Sequence, residues 1–340
     1  MTSLIKPSSV VDTRGRPVRD LRLSVTDRCN FRCRYCMPAE IFNREYVFLQ
    51  RDLLLTFEEM VFLSRAFERF GVQKIRLTGG EPLLRRGIER LISMLTDATD
   101  CEVTLTTNGS LLARKAEGLA AAGLSRVTVS LDSLDEDTFQ AMNDVGFPVS
   151  AVLDGIEVAS AVGLPVKVNA VVKRGVNDQD AVDMAAYFRG TGHILRFIEY
   201  MDVGASNGWR MDDVVPAQEL IEAINGRFPI EPVAPNYRGE VARRWRYVDG
   251  GGEVGFIASV TQPFCGTCTR ARVSAEGVLY TCLFAVGGTD LRRMLRSGAG
   301  EEEVVDALRQ VWEGRDDRYS EIRSLDTVDL QKVEMSYIGG

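Results

Sequence analysis

No run of about 18 apolar residues occurs in the 340-residue sequence, so no transmembrane helix is expected. The opening stretch, MTSLIKPSSVVDTRGRP, lacks the apolar core of a signal peptide, which points to the cytoplasm. Positive charge is in the minority: 41 Lys+Arg stand against 48 Asp+Glu, a net of −7 at neutral pH. General binding to nucleic acid or to a membrane surface rests on summed positive charge, so neither is expected. Any anionic ligand must be caught by a local basic cluster. There is no solenoid-period repeat and no low-complexity tract. Nor is there a G-x-x-x-x-G-K-[ST] segment, so phosphate capture would not use a P-loop and hydrolysis is not implied. Histidine is limited to His193, and cysteine to seven residues, an odd number that argues against a disulfide framework. What remains is ordinary: 45% hydrophobic and 26% charged residues suit a folded chain of one large domain or two.

Six of the seven cysteines are grouped. Cys29, Cys33 and Cys36 form C-x3-C-x2-C, and Cys265, Cys268 and Cys282 form C-x2-C-x13-C near the other end. Metal ligation is the leading physical explanation. Three thiolates within eight residues can wrap one corner of a [4Fe–4S] cluster and leave the fourth iron without a protein ligand. A structural zinc site would want four ligands, and His193 is remote in sequence. The second triplet also lacks a nearby fourth ligand, and a zinc ribbon would present C-x2-C twice. Zinc completed from elsewhere stays open for either triplet. Cys101, alone at the start of a strand, reads as buried filler.

From about residue 20 to 200, β-rich runs at 21–26, 72–78, 101–106, 126–131, 165–171 and 193–198 alternate with helical stretches. Thr56 and Glu59 predict a capping box, and Gly71, Gly123 and Gly163 predict helix ends. Six such repeats imply parallel strands with right-handed crossovers, as an open sheet or a partial barrel. The strands alternate: Leu21, Leu23 and Val25 with Arg22, Ser24 and Thr26; Ile75 and Leu77 with Lys74, Arg76 and Thr78; Val166 and Val168 around Lys167. A parallel sheet packed on both faces would be continuously apolar, so the polar face is expected to line a wet cavity. The expected fold is therefore α/β: an incomplete (β/α)6 TIM-like barrel over residues 1–228, then a C-terminal α+β extension over 229–340. In that extension, Pro229, Pro232 and Pro235 punctuate a linker. Short antiparallel strands are expected at 243–248, 253–259, 271–275 and 278–282, and helices near 289–297 and 301–313. Arg270 and Arg272 stand at alternate positions on one of these strands; two guanidinium forks facing one way would suit a polyphosphate.

The C-x3-C-x2-C triplet after the first strand, with Gly79-Gly80-Glu81-Pro82 after the second, resembles the radical S-adenosylmethionine superfamily. Further motifs extend the likeness in order from about residue 11 to 340: LRLSVTDRCNFRCRYCMP, KIRLTGGEP, TTNG, VSLDSL, VKVN, RFIEYMDVG, FCGTCTRAR and a final Gly-Gly. Together they resemble the GTP 3′,8-cyclase family, whose radical reaction begins molybdenum cofactor biosynthesis. That resemblance implies a [4Fe–4S] cluster on Cys29, Cys33 and Cys36, and a second on Cys265, Cys268 and Cys282 that binds guanine. It implies that Tyr35, Gly80, Ser130 and Met201 contact S-adenosylmethionine. It also implies that Arg22, Arg76, Thr107, Lys167, Arg270 and Arg272 contact GTP, and that Gly339 and Gly340 reach into the active site. Lys74 and Arg196 are further candidates for the cavity. A homodimer, an unidentified reductant and a downstream cyclic pyranopterin monophosphate synthase also follow from the likeness. Two other readings stay open: a peptide-modifying radical enzyme, and a metal-stabilised nucleotide-binding regulator without catalysis.

Overall fold

The computed structural model describes residues 10–323 and 330–339. Its first half repeats one unit six times, a strand followed by one or more helices. The strands are β1 (Asp20–Ser24), β2 (Lys74–Thr78), β3 (Glu102–Thr107), β4 (Arg126–Ser130), β5 (Val166–Val172) and β6 (Ile194–Glu199), each parallel to the next. The helices are α1 (Phe57–Phe70), α2 (Ile88–Ala98), α3 (Leu112–Ala121), α4 (Glu136–Asn143), α5 (Val149–Ala161) and α6 (Ala181–Phe188). The expected capping box opens α1: the Glu59 amide donates to Thr56 Oγ1 at 3.1 Å, and the Thr56 amide to Glu59 Oε2 at 2.8 Å. Gly71 ends that helix at φ 121°, a region that favours glycine.

After α7 (Ala217–Arg227) come β7 (Ile230–Val233), β8 (Arg243–Tyr247), β9 (Glu253–Ile257), β10 (Arg270–Val273), β11 (Val278–Tyr280) and β12 (Thr289–Asp290). Helices α8 (Leu291–Arg296) and α9 (Glu301–Glu313) and a short helix at Met335–Ile338 follow among the described residues. One sheet holds all twelve strands, in the order β12-β11-β10-β1-β2-β3-β4-β5-β6-β9-β8-β7. Its two ends are not joined, so the barrel is open.

The expectation of antiparallel pairing for the later strands is only half right. β8 pairs antiparallel with β7 and β9, and β11 with β10 and β12. But β9 lies parallel to β6 and β10 parallel to β1, continuing the barrel on both flanks. Alternation in sequence shows which face of a strand is apolar and carries no information about the direction of its neighbour. β7, inside the expected linker, tolerates Pro232 because it is an edge strand.

The alternation itself holds. Leu21, Leu23, Ile75, Leu77, Val127, Val129 and Val168 are fully buried beneath the helices, while the intervening polar side chains turn inward. No helix among the described residues is long and apolar enough to cross a membrane.

Candidate active site

The first cysteine loop leaves the end of β1 and is pinned by backbone contacts. The Cys36 and Met37 amides both donate to the Cys33 carbonyl, at 2.9 and 2.8 Å. Arg32 donates to the carbonyls of Cys29, Phe31 and Phe42 at 2.7–2.9 Å. The Gly-Gly-Glu-Pro segment lies directly against this loop: the Gly80 amide donates to Thr26 O and the Glu81 amide to Arg28 O, both at 2.8 Å. A Cβ on Gly80 would sit 2.3 Å from Arg28 O, so the approach requires glycine.

Cys29, Cys33 and Cys36 are free thiols lining a cavity of about 550 Å3. The Phe31 amide and the Asn108 side chain donate to Cys29 Sγ at 3.4 and 3.7 Å. Burial, reinforced by Glu81, pushes the Cys29 thiol up to about 11; burial and Asp132 push Cys33 up as well. Glu81 is buried and raised to about 7 by desolvation. It accepts hydrogen bonds from the Thr107 hydroxyl and the Asn108 amide at 2.7 Å, and from the Leu83 amide at 2.9 Å. Tyr35 donates to Asp132 at 2.8 Å, and burial lifts Asp132 to about 6. Gly80, Ser130 and Met201 line the same wall.

The second triplet faces the same cavity. Cys265 and Cys268 flank a tight turn closed by a 3.1 Å bond from the Cys268 amide to Cys265 O, and the Phe284 amide donates to Cys282 Sγ at 3.5 Å. Burial would raise the Cys268 thiol, but Arg270 and Arg315 outweigh it and bring it down to about 6. Burial holds Cys282 up at about 11.

Cations occupy the space between the triplets. Arg22 on β1 is in register with Arg76 on β2 and with Arg272 on β10, three guanidinium-bearing positions on adjacent strands about 4.8 Å apart. Arg270, Lys74, Lys167, Arg126 and Arg196 line the same cavity. Lys74 pairs with Glu102 at 3.3 Å and Arg126 with Glu102 at 2.7 Å. Among the described residues, Arg22, Arg76, Lys167, Arg196, Arg270 and Arg272 form no ion pair with a carboxylate. Burial and mutual repulsion push Arg22 and Arg76 down, Lys167 to about 8, and Arg196 and Arg272 to about 9. A buried cluster of like charges is relieved by a polyanion.

The C-terminal tail closes on this cluster. Gly339 is buried, and its carbonyl accepts from Arg272 Nη1. A Cβ there would lie 2.2 Å from Thr78 Cγ2, at φ 76°. The Glu334 carboxylate anchors the tail by accepting from the Ala205 amide at 3.1 Å and Ser206 Oγ at 2.9 Å. Asp202, 2% exposed, accepts from Tyr319 OH at 2.5 Å, Arg323 Nε at 2.9 Å and Lys332 Nζ at 3.2 Å. Gly340 lies outside the described residues.

One cavity thus gathers every candidate named from the sequence except the Gly-Gly tail, whose Gly339 meets it through Arg272. Thr107 is in it, with its hydroxyl donated to Glu81. Arg126, Glu81, Asp132 and Asp202 were not singled out. Arg126 shares inward parity with Thr128 and Ser130, so the alternation rule reaches it; the roles of the three acids depend on burial that no local pattern encodes. The donor set suits iron–sulfur clusters.

Comparison with known proteins agrees with this geometry. Residues 23–188 match the Radical SAM superfamily, and residues 193–321 match Molybdenum Cofactor Synthesis C. The GTP 3′,8-cyclase of Acidothermus cellulolyticus is 54% identical, with 97% of this chain and 98% of that protein covered. The GTP 3′,8-cyclase of Staphylococcus saprophyticus is 49% identical over 97% of this chain and 99% of its own. Among solved structures, SuiB of Streptococcus suis bound to S-adenosylmethionine superposes with a TM-score of 0.61 at 16% identity. That superposition covers 91% of this chain and 68% of SuiB, a likeness of fold. On this full-length similarity, the chain belongs to the GTP 3′,8-cyclase family of the radical S-adenosylmethionine superfamily.

Proposed function

We propose that the chain converts GTP into (8S)-3′,8-cyclo-7,8-dihydroguanosine 5′-triphosphate, the first step of molybdenum cofactor biosynthesis, with two [4Fe–4S] clusters. The observation that carries this reading is the in-register row Arg272–Arg22–Arg76 between two cysteine triplets in one cavity. Cys29, Cys33 and Cys36 would hold the first cluster, which with S-adenosylmethionine would supply a 5′-deoxyadenosyl radical. Tyr35, Gly80, Ser130 and Met201 hold that cosubstrate against the first loop. Cys265, Cys268 and Cys282 would hold the second cluster, which would fix the guanine.

Arg22, Arg76, Lys167, Arg270 and Arg272 grip the triphosphate, and Thr107 borders it. Anchoring both ends of the nucleotide brings the ribose 3′ hydrogen within reach of the radical, and position supplies the selectivity. The walls exclude competing hydrogen donors. Arg272 also positions Gly339, so Gly339 borders the reacting sugar.

The working units are the radical-generating half, 1–228, and the half bearing the second cluster, 229–340. The enzyme would work in the cytoplasm as a homodimer. It would draw electrons from a separate reductant and pass its product to cyclic pyranopterin monophosphate synthase. Anaerobic incubation with GTP, S-adenosylmethionine and a reductant tests the reading: cyclised nucleotide and 5′-deoxyadenosine are expected in equal amounts. Turnover of a peptide instead of GTP, or no cyclised nucleotide at all, would overturn it.

A further inference from the structure

Against the second cysteine loop lies an ion cluster to which the reading above assigns no substrate contact, although one member, Arg315, also lines the cavity. Asp12 and Arg16 belong to the segment before β1, and Arg315 follows α9. All three are essentially buried, at 4%, 1% and 4% exposure. Asp12 Oδ2 accepts from Arg16 Nε at 2.5 Å and from Arg315 Nη1 at 3.1 Å. Arg315 Nε also reaches Asp317 at 3.1 Å, and its guanidinium stacks on Trp312 at 4.6 Å. The Trp312 indole donates to Arg16 O at 2.8 Å. Asp12 Oδ1 caps its own turn, accepting from the Arg14 and Arg16 amides at 2.9 Å.

Desolvating three charges is costly, and apolar side chains of similar volume would stabilise a fold as well. What apolar residues could not do is donate to the backbone of the cysteine loop. Arg16 Nη1 donates to Cys265 O at 2.7 Å and Arg315 Nη1 to Cys268 O at 2.9 Å, so each guanidinium holds one end of the C-x2-C turn. In the first cysteine loop the guanidinium that reaches the backbone is the half-buried Arg32, which donates to the Cys29 carbonyl at 2.9 Å and forms no ion pair among the described residues.

We propose that Asp12, Arg16 and Arg315 form a buried cradle that fixes the Cys265–Cys268 turn in the shape its metal cluster requires, and so governs loading of the second site independently of the first. This rests on the two-cluster reading above. The three are positioning residues: none lies among the groups assigned to substrate. Removing the Asp12 charge leaves Arg16 without a carboxylate partner among the described residues and Arg315 with Asp317 alone, and the turn they hold is the part free to shift.

The test is anaerobic reconstitution of the full chain as parent, Asp12→Asn and Arg315→Lys. Iron and sulfide per chain, electron paramagnetic resonance after reduction, and 5′-deoxyadenosine formation are then measured. The parent is expected to hold about eight irons, two cubanes, and Asp12→Asn about four. Asp12→Asn should retain 5′-deoxyadenosine formation and lose the second resonance signal. Arg315→Lys keeps its charge and should load the second site with a shifted signal. Full loading with an unchanged second signal in both variants would overturn the cradle while leaving the two-cluster reading intact. Equal loss of both clusters would also overturn it, because the effect would not be confined to one site. A parent that itself holds about four irons would overturn the two-cluster reading and the cradle with it.

Discussion

The two cysteine triplets open onto one cavity, and one thiol of the second, Cys268, has surroundings opposite to those of the first. Around Cys29, Cys33 and Cys36, burial and the carboxylates of Glu81, Asp132 and Glu334 push the thiols up. Beside Cys268, Arg270 and Arg315 overcome burial and bring the thiol down to about 6. The first setting suits a ligand that carries positive charge, as the sulfonium and amino groups of S-adenosylmethionine do. The second, continuous with Arg22, Arg76 and Arg272, suits a triphosphate. One chamber can thus keep two ligands apart by charge as well as by shape.

The comparison breaks most completely if the first site is removed. Replacing Cys29, Cys33 and Cys36 together with Ala is expected to abolish 5′-deoxyadenosine formation while GTP still binds. Loss of GTP affinity on the same scale, by calorimetry, would show that the sites are not separable. Asp202 ties the loop after β6, next to Met201, to the tail that reaches Arg272. Asp202→Ala removes the buried carboxylate that Arg323 and Lys332 share and should cost about 3–5 kcal/mol in denaturant unfolding. Product yield should fall further than S-adenosylmethionine cleavage; equal losses would deny the tail a separate role.

Sharper, smaller changes belong to the cationic side. Arg272→Ala should weaken GTP binding by about 10- to 100-fold, the ~1.5–3 kcal/mol of a hydrogen bond to a charged group, with iron content unchanged. Unaltered affinity would remove Arg272 from the phosphate site.

Lys167 gives the pH dependence. Burial, and then Arg196, lower it from 10.5 to about 8 in the free protein. Below that pH it is charged and available to phosphate, and above it the proton must be taken up on binding. GTP affinity should therefore fall several-fold between pH 7 and 9, and a flat profile would contradict its role. The smallest effect expected is from Asn108→Ala, which removes the 3.7 Å contact to Cys29 Sγ. It should shift the resonance signal of the first cluster alone and cut cleavage by less than about tenfold, ~1 kcal/mol.

Much of this was legible before any coordinates. Alternation put Arg22, Lys74, Arg76 and Lys167 on one face because side chains on a strand point alternately to its two sides. The cysteine spacing announced two sites because ligands of one loop must be near in sequence. What stayed illegible rests on long-range contact. The parallel pairing of β10 with β1 joins residues about 250 positions apart, and Asp12 meets Arg315 across 303. Asp132, Asp202 and Glu81 look like ordinary acids until burial deprives them of water.

The amino-acid order by itself determined the grouping of six cysteines into two triplets, the inward row on each strand and the βα rhythm, because these depend on local spacing and the geometry of a single strand. Only the folded chain decided that β9 and β10 extend the barrel on both flanks, so that both triplets line one cavity with a shared set of guanidiniums that form no carboxylate pair among the described residues. The direction in which distant strands meet is set by chain return and core packing, neither of which is written in any local segment.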